Sequence, residues 1–551
     1  MSMKVDPDVI IDRLADLEQE RYQWEDIWQD VIDYMLPNRS PVQGTITPGE
    51  DRSVEMYDST AYKSNLNLAA NLNDMLTNQS SMWFRLGIDS KELEDNTTVQ
   101  EWLADMTDEV RKHLDNSNFY DQIHELYLDL GSFGTGILYI EDSDDEDQYI
   151  NFRACHIREI FIAEDKYGRI DTVFRKFQYT ARQCMQAWDG EDDSSVSDQV
   201  KEKYDDAPNE HIDIIHVVFP REERDPKEPD SLNMPYASVW MEVETKHIIK
   251  EGGYKTMPYL VPRWMKSSGE TYGRSPALAV LADIKTLNAM METVIIAGQM
   301  IAEPPLMVPD DGFLKLNIEP RGISYYRSGT NEYIKPLEIG SRLPITFEMI
   351  QEKRDSIGDA FFVTQLNVID KTEMTAEEVR ARRDANMRII GPTVGRLQNE
   401  LLSHLIYRVL DILHSTIKTD ADGNEAPLLP EPPEGVEGEA YKLKYVSPLA
   451  KAKRMNELQA INGAVQTAAG YVQATQNLEV LDNLNLDIAY RKAVDIMGAP
   501  TDILKPVEQV IAQRQQRAQR QAAAAEAERN KADAELAETS TKAVKNINPE
   551  G

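Results

Sequence analysis

Two arginine groups are the residues of this chain best suited to meet a phosphate backbone. Arg380 and Arg383 lie one helical turn apart with Arg382 and Arg388 close by, and Arg514, Arg517 and Arg520 recur every third residue near the C-terminal end. Guanidinium rows of this kind contact phosphates, or they pair with carboxylates within a chain or between subunits; both readings stand at this point. Other chemistry is thinly represented. The sequence has no GxxxxGK[ST], HExxH, GxSxG or CxxC motif, and its 8 histidines form no metal-ligand spacing. The run Gly131-Ser132-Phe133-Gly134-Thr135-Gly136 is a poor phosphate loop because it precedes a strand instead of opening a helix. A tight helix-to-strand turn explains it better. The acidic run 142–147 lacks the glycine and spacing of a calcium loop, as do Asp420, Asp422 and Asn424, so both read as solvated turns. No enzyme activity, cofactor or metal is expected.

Composition constrains what must position these residues. A chain of 551 residues corresponds to about four domains at the usual size, with ample length for a core. Its 59 Lys+Arg against 95 Asp+Glu leave a net charge of −36, so a broad basic face wrapping nucleic acid is excluded and any DNA contact must be local or fleeting. Cys155 and Cys184 are too few for a disulfide framework and read as buried free thiols. The start, MSMKVDPDVI, lacks an apolar segment with a cleavage site, so no secretory signal is expected. The longest apolar stretch, 293–302, is bounded by Glu292 and Glu303 and falls short of the about 20 residues of a membrane span. A soluble protein made in the cytosol, without a membrane partner, is the expectation.

Elements can be placed from periodicity. Asp6 before Pro7 marks a helix start, and Ile10, Leu14, Leu17, Trp24, Trp28, Val31 and Met35 form a stripe interrupted only by Arg21, up to Pro37. A second helix is expected over 59–78, followed by the extended aromatic segment SSMWFRL, with Trp83 and Phe84 in the core. From Gly136 the period turns to two, and GILYIED, QYINFRACHI, EIFIAED, RIDTVFRKFQYT, HIDIIHVVFP and ASVWMEV predict one antiparallel sheet. A long helix over 275–302, apolar on most of its circumference, predicts packing on several sides and ends at Pro304-Pro305. A proline-punctuated small β lobe follows, and then a helix over 345–362. Thr375 and Glu378 make a capping box, opening a helix to about Lys418 that Gly391-Pro392 should kink. A Pro/Glu/Gly linker over 420–440 leads to a helical C-terminal region from Met455, and the tail beyond Ile511 is helix-forming without an apolar stripe. The fold class is α+β, predominantly helical.

The run Pro262-Arg263-Trp264, Gly269, Tyr272-Gly273-Arg274-Ser275-Pro276 and Leu287-Asn288 resembles the signature of head-to-tail connector (portal) proteins of short-tailed bacteriophages. SSMWFRL, LGSFGTGILYIE, EDKYGRIDTVFRKF, KTEMTAEEV and YVSPLAKAKR are similar to that family's other blocks, in its order, over roughly residues 5–505.

The resemblance implies a ring, expected to be a dodecamer, with wing, stem, clip and crown or barrel. The N-terminal helices and α/β wing would occupy 1–274, stem helices 275–303 and 345–362, the clip 304–344 and the tunnel loop 363–374. The kinked wing helix and linker would occupy 375–454, and the crown and helical barrel or tail 455–551. Tunnel-loop residues would be Thr364, Gln365, Asn367, Asp370 and Thr372; Lys371, Arg380, Arg383, Arg514, Arg517 and Arg520 are the DNA-channel candidates. Phe313, Tyr325, Tyr326, Arg327 and Tyr333 would form the clip docking surface for terminase and tail adaptors. The function so implied is passage of double-stranded DNA through one capsid vertex during packaging and ejection, along an acidic wall that does not hold it. Implied partners are further copies of the chain, double-stranded DNA, the terminase large subunit, tail adaptor proteins, and major capsid and scaffolding proteins. A role nucleating capsid assembly also follows, with the protein in the virion and, during assembly, in the host cytoplasm. Two alternatives are a head-completion or tail adaptor ring, which is typically shorter and lacks the helix, β lobe, helix order of 275–362, and a nucleic-acid enzyme, which would need a metal site or phosphate loop.

Overall fold

The computed structural model describes residues 5–44, 47, 49, 56–90, 93, 96–143, 148–188, 195–228, 230–309, 322–326, 335–336, 343–363, 389–419, 425–433, 435–436, 441–446, 448–476, 482–497 and 509–524. Helix α1 (Pro7–Met35) starts where the Asp6 carboxylate accepts the amide of Asp8 at 3.0 Å. Its expected stripe is buried except for half-buried Trp24, and Arg21, the polar interruption, is buried too, at 4% exposure. The Arg21 guanidinium donates to the carbonyls of Ile157, Arg158 and Ile160 at 3.1, 2.9 and 2.9 Å, pairs with Glu25 at 2.7 Å and lies 3.8 Å over the Phe161 ring. Charge inside the stripe is therefore consumed by backbone oxygens.

Helix α2 (Thr60–Leu76) precedes strand β1 (Phe84–Ile88), and Trp83 and Phe84 are each 1% exposed, as expected of core residues. Helix α3 (Thr97–Asn116) is followed by α4 (Phe119–Phe133), which ends at Gly134 with φ +80. That left-handed conformation favours glycine, so the glycine-rich run is the expected helix-to-strand turn. Strand β2 (Leu138–Asp142) follows, paired antiparallel with β3 (Ile150–Ala154).

The single sheet expected from the alternating segments is in fact two. A 3-10 turn at Ile157–Glu159, whose carbonyls face Arg21 instead of a partner strand, separates β2 and β3 from β4 (Ile160–Glu164). Strand β5 (Ile170–Thr180), short helices α5 (Ala181–Trp188) and α6 (Asp198–Asp206), β6 (His211–Pro220), β7 (Tyr236–Glu242) and β8 (Ile248–Tyr254) complete a five-stranded antiparallel sheet in the order β4-β5-β6-β7-β8. The short strand β9 (Tyr259–Leu260) returns to pair with β2. Period two explains the layering. On β6, Ile215, Val217 and Phe219 pack with Ile10, Leu14 and Leu17 of α1, while Ile212 and Ile214 pack with Cys184 and Trp188 of α5. Both faces of the sheet are thus covered, and both cysteines are buried and free.

The helix expected over 275–302 is broken near its start: α7 (Pro276–Ala279) stops at Val280, and α8 (Leu281–Ala302) begins again. Ser275 caps the first piece by accepting the Leu278 amide at 3.0 Å. Strands β10 (Leu306–Pro309), β11 (Ile323–Tyr326) and β12 (Lys335–Pro336) form a three-stranded sheet, β11 parallel and β12 antiparallel to β10. Helix α9 (Leu343–Ala360) follows. Residues 389–397 are helical straight through Gly391-Pro392; the irregularity lies further on, as a π turn at Gln398–Leu402 before α10 (Ser403–Ser415). Ser403 Oγ and His404 Nδ1 bond the carbonyls of Gln398 and Asn399, five residues back, at 2.9 and 2.8 Å, and the Gln398 carbonyl also accepts the Ser403 amide, the bond of the wider turn. The helix stops at Ser415, short of Lys418, because β13 (Ile417–Thr419) pairs with β14 (Glu425–Pro427) inside the expected linker.

The chain divides into two compact units: the first holds Met1–Arg85, Asp105–Glu431 and Ser447–Leu449, the second Leu86–Ala104, Pro432–Val446 and Ala450–Gly551. In the second, β15 (Tyr441–Tyr445) pairs with β1, and helices α11 (Pro448–Thr475) and α12 (Leu486–Met497) precede a helix over 509–524 whose residues are almost all exposed. Helix therefore begins at Pro448, earlier than Met455. The capping box at 375–378 and the acidic run 144–147 lie outside the described residues.

Candidate functional site

The residues of the 262–276 block converge on one buried junction in the first unit. Arg263 is 2% exposed, and its guanidinium pairs with Glu164 at the end of β4 and with Glu400 of the π turn at 3.2 Å, while donating to the Gly168 carbonyl at 2.9 Å. Glu400 also accepts the Arg263 amide at 3.0 Å, and Lys266 reaches Glu164 at 2.7 Å. A buried cation with two carboxylates and a carbonyl is neutralised and fully bonded, which the planar fork of Arg permits and a Lys would not. The backbone is knitted in as well. Trp264 donates to the Gly134 carbonyl at 2.8 Å, Gly273 to Thr135 Oγ1 at 2.8 Å, and Ser275 Oγ to the Ser132 carbonyl at 2.7 Å. Asn65 of α2 closes the other side, donating to Ser132 Oγ at 2.9 Å and the Leu128 carbonyl at 3.1 Å. Tyr272 is buried edge-on against Trp28 at 5.1 Å.

This junction roots helix α8. Asn288 Oδ1 accepts the amides of Tyr57 and Asp58 at 2.8 and 3.0 Å, Lys353 of α9 pairs with Asp283 at 2.7 Å, and Arg354 with Asp58 at 2.7 Å. Burial raises the Asp58 carboxyl, but bonds from Thr60 and Arg354 outweigh it and hold the group below its usual range. Beyond that root one side of the helix, with Met291, Val294, Ala297 and Met300, is half-buried and the other is exposed. Its buried residues are Ile284, Leu287 and Asn288, all in the first third, whereas Ile295, Ile296 and Ile301 are 41, 41 and 49% exposed. On α9, Phe347 and Met349 are exposed at 54 and 48%. The expectation that this apolar helix packs on several sides does not hold within one chain.

The arginine candidates fall differently. Arg514 pairs with Asp487 of α12 through two bonds of 2.6 and 2.8 Å, and the ion pair lowers the Asp487 carboxyl and raises the guanidinium. Arg517 and Arg520 are exposed on the same helix. Lys371, Arg380, Arg383, Thr364, Gln365, Asn367, Asp370 and Thr372 lie outside the described residues, as do Phe313, Arg327 and Tyr333. Tyr325 and Tyr326 sit in β11, in register with Val308 and Pro309. Among the described residues no group of His, Cys, Asp and Glu could hold a metal ion, and no helix is long and apolar enough to cross a membrane.

Residues 8–504 match the family model described as bacteriophage head to tail connecting protein, nearly the whole chain. The chain belongs to that family. It is similar to the "Probable portal protein" of Bordetella phage BPP-1, 29% identical over 541 residues that span 96% of this chain and 94% of the relative. It is also similar to the "Portal protein" of Salmonella phage epsilon15, 28% identical over 530 residues, 94% of this chain and 92% of the relative. A chain solved in the "Virion of native gene transfer agent (GTA) particle" aligns over 74% of this chain and 86% of its own at 12% identity, with a TM-score of 0.31, too weak a likeness to define the fold. Family membership makes this a structural protein of bacteriophage particles, a head-to-tail connector and not an enzyme.

Reading the sequence found the block that builds the junction but not what Arg263 holds. Glu164 and Glu400 lie 99 and 137 residues from it; Glu164 opens the block EDKYGRIDTVFRKF, but nothing in the local pattern marks Glu400 among 95 acidic residues. Arg21 did carry a signal, since it occupies the slot in the α1 stripe where an apolar residue belongs.

Proposed function

We propose that the chain assembles into a ring, a dodecamer, at one vertex of the capsid, through which double-stranded DNA is packaged and later ejected. The observation that carries the reading is helix α8. It is pinned at its root by Asn288 and Asp283 yet leaves Ile295, Ile296 and Ile301 open to water, with Phe347 and Met349 exposed on the returning helix α9. Exposed apolar side chains on both helices mark an interaction surface, and adjacent copies side by side would bury them. In this reading α8 and α9 are the stem, β10 to β12 belong to the clip, 363–374 is the tunnel loop and the helices from Met455 form the crown and barrel. The net charge of −36 supports a repulsive channel wall that lets DNA slide, with Lys371, Arg380, Arg383, Arg517 and Arg520 offering weak phosphate contacts. Arg514 would serve there only by leaving Asp487.

The clip, with Phe313, Tyr325, Tyr326, Arg327 and Tyr333, would dock the terminase large subunit and later the tail adaptors, while capsid and scaffolding proteins surround the wing and the ring nucleates capsid assembly. Packaging energy would come from the docked terminase. Negative-stain microscopy with mass photometry of the purified protein tests the core of this reading. Rings with a central hole and a mass about twelve times the 62.7 kDa chain are expected. A uniform monomer or dimer at every salt concentration, even with scaffolding protein added, would refute it. Charge reversal at Arg380 and Arg383 then tests the channel, with altered DNA retention in assembled particles as the expected result.

A further inference from the structure

The tip between β4 and β5 is a built feature that the connector role as described leaves unused. Asp165 Oδ1 accepts the amides of Tyr167 and Arg169 at 2.7 and 2.8 Å, and Gly168 turns the chain at φ +76. From below, Arg263 Nη2 grips the Gly168 carbonyl at 2.9 Å. The buried junction therefore holds the tip rigid. At its apex Tyr167 is 72% exposed, more than any other large apolar side chain among the described residues, and the Lys166 ammonium and Arg169 guanidinium lie 4.9 and 5.9 Å from its ring. Of the nearby carboxylates, Asp165 accepts the turn amides, Glu164 is held by Arg263 and Lys266, and the half-buried Asp171 accepts the Thr172 hydroxyl at 3.0 Å. What faces solvent is an aromatic ring flanked by two cations.

We propose that this tip is a preformed knob that seats on an acidic surface of an adjacent copy of the chain. The proposal rests on the ring reading above. Charge complementarity selects the occupant: with 95 acidic residues against 59 basic ones, the surface of a second copy is predominantly anionic, and a local cation pair offsets the repulsion that −36 per chain imposes on neighbours. An exposed rigid Tyr flanked by basic groups also has the composition of an interface hot spot and loses little entropy on docking.

The test uses the full-length protein with a photoreactive benzoylphenylalanine in place of Tyr167, and in parallel the triple variant Lys166→Glu, Tyr167→Ala, Arg169→Glu. Irradiation is expected to give a product of twice the chain mass, joined to a peptide rich in Asp and Glu. The triple variant is expected to need about tenfold more protein to keep its rings, the effect of about 1.4 kcal/mol lost per contact, with its thermal unfolding unchanged because the three side chains are exposed. Rings of the benzoylphenylalanine protein that give no chain-to-chain crosslink, or triple-variant rings as stable as the wild type, would overturn the knob and leave the ring standing. A crosslink only to another virion protein would do the same. A wild-type protein that never forms rings, with a benzoylphenylalanine protein that never crosslinks to itself, would overturn both.

Discussion

Replacing Asp129 by Asn should change how the stability of the first unit depends on pH. Asp129 is 3% exposed in helix α4, and Arg39, just beyond α1, lies 2.9 Å from its Oδ1 and 2.6 Å from Glu125. Burial raises the carboxyl from 3.8 to about 7, the charge of Glu125 pushes the same way, and Arg39 opposes both. The folded chain thus keeps this proton to neutral pH, whereas the unfolded chain releases it near 4. A carboxyl raised on folding contributes its stability at low pH and loses it as pH rises through the folded value. Three units correspond to about 4 kcal/mol over the whole window, and to about 2–3 kcal/mol between pH 5 and pH 8. Asn cannot titrate. Urea unfolding followed by the fluorescence of the buried Trp28 and Trp83, at pH 5, 6, 7 and 8, reads the difference between variant and wild type, in which the other titrating groups cancel. The variant should gain on the wild type by about 2–3 kcal/mol from pH 5 to pH 8. Parallel curves over that range would show that the Arg39 pair outweighs burial and would refute the reasoning.

Arg263→Met should lower thermal stability by about 2–3 kcal/mol, because the half-buried Glu400 carboxylate keeps the amide of residue 263 but loses the guanidinium, and adding Glu400→Leu should recover part of the loss in a double-mutant cycle. Gly134→Ala should destabilise by more than about 1 kcal/mol in chemical denaturation, since φ is +80 and a Cβ would lie 2.6 Å from the backbone of Arg274 and Ser275. Ile295→Asp with Ile296→Asp should leave unfolding of the single chain within about 0.5 kcal/mol, because both residues are exposed there, while mass photometry shows the ring fraction lost. Rings that persist with two carboxylates on that face would show that it is not the contact between copies.

What the residue pattern determined by itself is what depends on near neighbours in the chain. Asp6 before Pro7 specifies the start of α1 because capping involves amides two residues away, and the apolar stripe from Ile10 to Met35 specifies its buried face. The pattern of HIDIIHVVFP predicted the strand β6, and the glycine-rich run 131–136 predicted the tight helix-to-strand turn after α4, because period and turn preference are local properties. The family, too, was legible, since the ordered blocks from SSMWFRL to YVSPLAKAKR are sequence features and the match spans residues 8–504.

Only the tertiary structure decided where charges and carbonyls meet across long stretches of chain. The division of one predicted sheet into two depends on Arg21 taking carbonyls some 136 to 139 residues away, and the junction depends on Glu400 reaching Arg263 from a π turn that no residue pattern announces. The apolar character of 293–302 was plain, but its exposure was not. Hydrophobicity states that a face must be covered, whereas which surface covers it depends on the packing of elements distant in sequence, and in α8 that packing leaves Ile295, Ile296 and Ile301 exposed.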